Sequence, residues 1–333
     1  MLNLHDCATR SRINMLWTRV LWTHVLWSSL ALSLVPASAM AQIDAKSSGD
    51  AKSNSEANAT RSSSSPTAQA SVSEELTPKP IPDKLVVLTF DDSAKSHYTI
   101  VRPLLIKYGF GATFFITEGF DFPDNKRDYM TWEEIAQLHR DGFEIGNHTR
   151  DHLGITDTAV EQLSEQLRGI EQRCAEHAIP KPTTFAWPGN ATSLAAFAIL
   201  KKHGIRFARR GGAPEYPYEQ GRGFAYEPGR DHPLLLPSAG DARPTWELAD
   251  LIAAVEQARD GKIAILQFHG APDTAHAWVS TAEQKFEAYL HYLAINQYQV
   301  ISLSELQGYL GTEKEPDDPL TIIRERKSRL EAP

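Results

Sequence analysis

The body of this chain is predicted to be an α/β fold built on a parallel sheet, and three observations predict it. Short apolar runs rich in strand formers alternate with helical stretches from Leu85 to Ile301. A helix separates most successive strands, which implies parallel pairing with right-handed crossovers. Three of the strands run straight into unusual polar residues: Asp91-Asp92, Asn147-His148 and His269. In a barrel or a doubly wound sheet, the C-terminal strand ends face one common mouth.

The elements follow in order. Leu85 to Phe90 is a continuous apolar run and reads as a buried strand. A helical stretch follows to Lys107, stopped by Gly109. Ala112 to Ile116 is the next strand. Thr131 with Glu134 makes a capping box for a helix to His139, ended by Gly142. Phe143 to Asn147 is a third strand, and Val160 to Glu176 has helical periodicity. Thr183 to Trp187 is a strand cut by Pro188-Gly189. Ser193 to His203 is a helix, Arg206 to Arg209 a strand, and Trp246 to Ala258 a helix. Ile263 to Phe268 is a strand. Ser280 with Glu283 is expected to cap a last long helix before a final strand at Val300-Ile301. Gly211 to Ala239 is rich in Gly and Pro, breaks the rhythm, and is read as an inserted loop over one end of the sheet.

The chain has 333 residues, and residues 83–311 form one domain by length. Residues 1–41 read as an export signal: Arg10, Arg12 and Arg19, an apolar run from Val25 to Val35, then Ala39-Met40-Ala41. A start at Met15 would give a tighter signal. The run is shorter than the ~20 apolar residues of a membrane span, so no stable span is expected after cleavage. Residues 42–82 read as a disordered linker, since Asp44 to Glu75 has no aromatic residue and one large aliphatic, Val72. Residues 312–333 read as a charged C-terminal tail, frayed or weakly helical. The expected location is periplasmic, cell-envelope or secreted.

Composition excludes several classes. Thirty-four basic residues against 42 acidic ones give a net charge of −8, and no long Lys/Arg run exists, which argues against nucleic acid as a partner. Two cysteines exclude a disulfide scaffold, a four-cysteine zinc site and a C-x-x-C redox pair. Cys7 lies in the signal, which leaves Cys174 without a partner. Oligomeric state is open.

His148 and His152 are four apart, a spacing that puts both imidazoles on one side of a helical turn. Two histidines and a carboxylate leave positions open for water and substrate. Each piece alone has an ordinary structural reading, as a turn, a cap or surface chemistry. Their conjunction at three strand ends points to a hydrolytic centre.

Here the sequence resembles the polysaccharide deacetylases of the NodB-homology type, carbohydrate esterase family 4. Thr89-Phe90-Asp91-Asp92 looks like that family's first motif, and His148-Thr149-Arg150-Asp151-His152 matches its His-Ser/Thr-x-x-His motif. Leu266-Gln267-Phe268-His269-Gly270 fits the late motif, and Phe185-Ala186-Trp187-Pro188-Gly189 fits the middle one in part. The resemblance implies a distorted (β/α) barrel, TIM-barrel-like with about seven strands. It also implies a metal-dependent hydrolase of carbon–nitrogen bonds that removes N-acetyl groups from an extracytoplasmic, chitin-like or peptidoglycan glycan. Asp91 would be the base acting on a water held by the metal, and His269 the acid. Asp92, His148 and His152 would hold the metal, Zn2+ first and Co2+ or Ni2+ next. Gly189 would help to stabilise the oxyanion, with Pro188 and Trp187 beside the substrate.

One departure stands out. The family's middle motif often carries an Arg that orients the base, and Ala186 stands there. Arg209 and Arg210, ending a later strand, are the expected replacements. Asp241 is the first candidate to tune His269, with Asp231 second. Trp187 and Tyr226 are candidates to stack on a sugar, although Trp187 also suits a core. Asp273 is a loop cap or a rim residue. The competing readings are a cyclic amide or imide hydrolase, an O-acetyl esterase, and a glycan-binding domain on a degenerate scaffold.

Overall fold

The computed structural model describes residues 78–311 and 315–332. The expected signal at 1–41, most of the expected linker, and residues 312–314 and 333 lie outside the described residues. The elements are β1 (Leu85–Phe90), α1 (Arg102–Tyr108), β2 (Thr113–Ile116), α2 (Trp132–Arg140) and β3 (Glu144–Asn147). Then come α3 (Leu163–Glu176), β4 (Thr184–Ala186), α4 (Phe197–Lys202), β5 (Phe207–Arg209), β6 (Gly240–Asp241) and α5 (Leu248–Val255). The chain ends with β7 (Ala264–Phe268), α6 (Glu283–Ile295), β8 (Gln299–Ile301) and α7 (Thr321–Glu331). No helix among the described residues is long and apolar enough to cross a membrane.

All strand pairs are parallel, in the order β5-β4-β3-β2-β1-β7-β6, and β8 pairs with β1. β7 runs along one edge of β1 from Val86 to Phe90. β8 takes the first half of the other edge (Leu85 to Val87), and β2 takes its end (Thr89, Phe90). One short segment bridges the outer edges. Leu236 N donates to Ala208 O of β5 (2.9 Å), and three residues on Ala239 N donates to Ile265 O of β7 (2.7 Å). The result is the distorted (β/α) barrel that the family resemblance implies. The sheet has eight strands. β6 is the one the sequence did not reveal, because two residues, one of them Gly240, carry no strand pattern.

Side chains alternate across a strand, and here the alternation sorts core from mouth. Val86, Leu88 and Phe90 pack outward against α1 and α6 residues such as Leu105 and Phe286, while Leu85 and Val87 join Phe115, Ala186, Phe207, Ile263 and Ile265 inside. Gly146 faces the same interior, since a Cβ there would lie 2.4 Å from the Phe115 ring. Following each inward set to its C-terminal end leads past Thr89 to Asp91 after β1, past Gly146 to His148 after β3, from Phe207 to Arg209 on β5, and past Gln267 to His269 after β7. Asp241 stands opposite inward-facing Gln267.

Some local expectations change. The capping box at Thr131 and Glu134 forms (3.2 and 2.8 Å). The expected Ser280 cap does not: Ala282 precedes α6, and Ser280 Oγ instead accepts from Asp273 N (2.9 Å), drawn off by the preceding loop. The charged C-terminal stretch contains α7, which buries Ile322 and Ile323 against the cluster around Leu163 and Leu200. Arg326 on α7 is buried and grips both oxygens of Asp231 at 2.7 Å. Cys174 is free and buried in the core.

Candidate active site

The mouth of the barrel gathers the polar strand ends into a pocket of ≈ 110 Å³, lined among others by Asp91, Asp92, His148, His152, Gly189 and His269. Asp91 continues the line of β1, its N–H donating to Phe268 O (2.9 Å), which sets it beside β7 and His269. The strand has ended, and Asp92 (φ 71°) and Ser93 (φ 58°) take the left-handed conformation, uncommon for non-glycine residues. That turn brings Asp92 to the pocket as well. Ser93 holds it: its hydroxyl donates to Thr117 O (2.8 Å) and accepts from Thr117 N (3.0 Å).

The second motif reaches the same place by a different backbone from the one expected. Residues 148–155 are not helical, and Thr149 (φ 57°) and His152 (φ 53°) are both left-handed. The helical-turn rationale for the histidine spacing is therefore overturned. A tight loop folds the two rings to 4.9 Å, pinned by Asn147 Oδ1 accepting from Thr149 N (3.0 Å) and by Gln166 Oε1 accepting from Asp151 N (2.9 Å).

Asp92, His148 and His152 each offer a ligand atom, all within 4.8 Å of one another. Both Nε2 atoms lie 3.3 Å from Asp92 Oδ1. Tetrahedral bonds of about 2.0–2.2 Å place neighbouring donors roughly 3.3–3.6 Å apart, so these residues fit a divalent cation. Two further observations agree. Asp92 Oδ1 is buried without a hydrogen-bond partner. His148 Nδ1 lies 2.9 Å from Ala186 O, a contact that makes Nδ1 the donor and leaves Nε2 as a lone pair. Burial pulls the Asp92 pKa upward, but the close approach of His148 and the charges of His269, His148 and His152 outweigh it and hold the carboxyl far below its usual range. Burial pulls His148 down, but the Asp91 charge and the Asp92 contact leave it raised. His152, desolvated and repelled by His148, falls to about 4.

Arg209, one of the two arginines expected to stand in for Ala186, lies one strand over. Ala186 on β4 is the register partner of Arg209 on β5. Arg209 is fully buried and donates through Nη2 to both oxygens of Asp91 at 2.5 Å. Its guanidinium lies 5.4 Å from the Phe115 ring centroid. Arg210 faces away: its guanidinium pairs with Glu215 (2.7 and 2.8 Å) and with the carbonyls of Gly211 and Ala213, so the structure does not bring it to the pocket. Of the two aspartates considered for His269, Asp241 is in place, its Oδ1 3.8 Å from His269 Nδ1, while its Oδ2 takes a 2.5 Å bond from Arg243. Burial raises Asp241, against the pull of His269 and Arg243. Asp231 is occupied by Arg326. His269 Nε2 is 3.8 Å from Asp92 Oδ2, and His97 Nε2 lies 3.2 Å from the His269 carbonyl.

Trp187 lines the pocket but is buried, its Nε1 donating to Leu234 O (3.0 Å) and its ring edge-to-face with Phe185. That is a wall, not an open stacking face. Pro188 is buried beside it, and Gly189 takes φ 58° at the pocket edge. Tyr226 is buried in the barrel interior and hydrogen-bonds through its backbone to Ile263, away from the mouth. Asp273 is a loop cap, accepting from Gly270 N and His276 N. The pocket also holds residues the sequence did not single out: Phe120, Asn190, Tyr218, Gln267, His276 and Trp278. Gln267 has the right strand parity to be found. The others lie in loops, where no periodicity marks them.

Residues 79–208 match the family described as polysaccharide deacetylase. Over 125 residues the chain is 31% identical to a peptidoglycan-N-acetylglucosamine deacetylase of Bacillus cereus, covering 37% of this chain and 55% of that one. It is 32% identical over 124 residues to a chitooligosaccharide deacetylase of Azorhizobium caulinodans, covering 36% and 55%. It is 34% identical to a poly-beta-1,6-N-acetyl-D-glucosamine N-deacetylase of Escherichia coli K12, covering 38% and 25%. The chain thus spans about half the length, or less, of these curated relatives. A solved family 4 acetyl xylan esterase from Clostridium thermocellum, in complex with a cobalt ion, aligns over 72% of this chain and 96% of its own at 22% identity and a TM-score of 0.46. Arg209, Asp241 and His269 all lie beyond the span matched by the family.

Proposed function

We propose that this protein, whose residues 79–208 match the polysaccharide deacetylase family, is a metal-dependent hydrolase of non-peptide carbon–nitrogen bonds. Its substrate is an N-acetylated, extracytoplasmic glycan, chitin-like or peptidoglycan. One observation carries the reading: a metal-ligand triad within 4.8 Å shares one pocket with an arginine-held carboxylate and an imidazole backed by a second carboxylate. An amide is a poor electrophile and its nitrogen a poor leaving group, so a base, an acid and carbonyl polarisation are all needed.

Asp92, His148 and His152 would hold the cation, with Zn2+ the first choice and Co2+ or Ni2+ compatible with the same donors. When bound, it supplies Lewis-acid polarisation and lowers the pKa of a water. Asp91 takes the proton of the attacking water, and Arg209 fixes its carboxylate in position. His269 gives a proton to the departing amine nitrogen, and Asp241 faces its Nδ1 to orient the ring. Gly189 would donate its N–H to the oxyanion, with Trp187 and Pro188 beside it. Export through residues 1–41 would place the enzyme in the periplasm, in the envelope or outside the cell, where such polymers are found.

Acetate release from N-acetylglucosamine oligomers and peptidoglycan, measured before and after chelation and metal return, tests this. Release that stops with chelator and resumes with metal supports it. Acetate from O-acetylated glycans alone, or ring opening of a small imide alone, would reassign the substrate. Glycan affinity in a protein that takes up no metal would point to a binding domain.

A further inference from the structure

Among the described residues, the two exposed Phe or Trp side chains stand at the same place. Trp278 (61% exposed) and Phe120 (46%) both line the mouth of the Asp91 pocket. The floor is the opposite: Asp91, Asp92, His148 and His269 are buried. A pocket of ≈ 110 Å³ is well below the roughly 300–1,000 Å³ that encloses a small ligand. It suits an acyl group, and the ring bearing that group must stay at the mouth.

The two aromatic residues are not equivalent there. Phe120 lies 4.6 Å from the His152 ring and 4.5 Å from His276, so it walls the ligand loop. Trp278 is propped from the other side. The Arg243 guanidinium lies 5.5 Å from its ring and 4.0 Å from that of Tyr218, and the Tyr218 and Trp278 centroids are 6.1 Å apart. Arg243 is itself buried, tied to Asp241 and to Tyr218 O. The indole is therefore held in place and still open to solvent. A large aromatic surface with few rotatable bonds binds at low entropic cost, and the apolar C–H face of a pyranose is its complement.

We infer that Trp278, propped by Arg243 and Tyr218, is the platform on which a sugar ring of the substrate stacks, a specificity-determining residue that selects glycan chains over small acetylated molecules. The inference rests on the glycan-deacetylase reading above and adds the residue that reads the sugar.

Kinetics on the metal-loaded full chain compare an N-acetylglucosamine oligomer with 4-nitrophenyl acetate, which has no sugar ring. Trp278→Ala is expected to raise KM for the oligomer about 10-fold, as re-exposing part of an indole face implies. The oligomer-to-ester ratio of kcat/KM falls by a similar factor, and Trp278→Phe recovers most of it. An unchanged oligomer KM, or equal losses on both substrates, overturns the inference. A second measurement follows oligomer binding to the Asp91→Asn chain by calorimetry, with and without Trp278→Ala. Affinity lost on Trp278→Ala, in a protein whose wild type releases no acetate, supports the platform and refutes the hydrolase. Affinity unaffected by Trp278→Ala overturns the platform whatever the turnover.

Discussion

The two ends of the barrel interior make an instructive pair. At the floor, Glu144 on β3 is enclosed by Thr113 Oγ1 (2.6 Å), Thr184 Oγ1 (2.7 Å) and Ser304 N (2.8 Å), and both its oxygens are satisfied. At the mouth, one step beyond Gly146 on the same inward line, His148 joins a group in which Asp92 Oδ1, His269 Nδ1, Asp241 Oδ1, and Arg209 Nε and Nη1 are buried without partners. Buried polar groups are almost always hydrogen-bonded. The floor obeys that rule as a structural plug does. The mouth breaks it at several atoms together, as the proposed cation and substrate site would require. The contrast teaches that burial of charge does not mark function here; incomplete satisfaction does.

The largest effects should fall at the mouth. Asp91→Asn is expected to cost about 10²–10⁴ in kcat while retaining metal, and His148→Ala to lose both activity and metal. Elemental analysis beside turnover separates them, and full metal occupancy in His148→Ala would refute the ligand assignment. Arg209→Ala comes next. It strands Asp91 as an uncompensated buried charge, so a loss of about 3–5 kcal/mol in urea unfolding is expected, along with a fall in kcat. Normal turnover in both Arg209→Ala and Arg210→Ala would remove Arg209 from the mechanism.

The floor should respond in stability and leave kcat unchanged. Glu144→Ala leaves donors unpaired and should cost about 1–3 kcal/mol, whereas Glu144→Gln can keep a partner for each position and should cost less than about 1 kcal/mol. The smallest effect concerns pH. Burial raises the Glu144 pKa above the ordinary glutamate value, against the pull of its hydrogen bonds. The folded state then holds this proton to higher pH than the unfolded state does. Its contribution to stability is complete below the unfolded pKa and declines as pH rises through the folded one. Glu144→Gln should flatten that decline, and a slope unchanged in the variant would assign it elsewhere.

Much of this was legible in the chain. The apolar runs marked seven of the eight strands, and strand parity alone sends Asp91, His148, Arg209 and His269 toward one mouth. The pair Thr131 and Glu134 announced its capping box, since both partners lie within one turn. What failed was of another kind. The histidine spacing suggested a helical turn, but the loop meets the same geometry with left-handed residues. Tyr226 offered itself as a sugar platform by residue type, and packing buried it, while Trp187 took the core role that its size also suited.

The sequence by itself determined seven of the eight strand segments, which side of each faces inward, and that acid or imidazole groups end three of them, because these depend on local periodicity. Only the tertiary structure decided that Arg209 and not Arg210 meets Asp91, that Asp241 and not Asp231 lies beside His269, and that Trp278 stays open at the mouth. Those choices turn on register between strands far apart in the chain and on loop packing, and neither leaves a periodic trace in the order of residues.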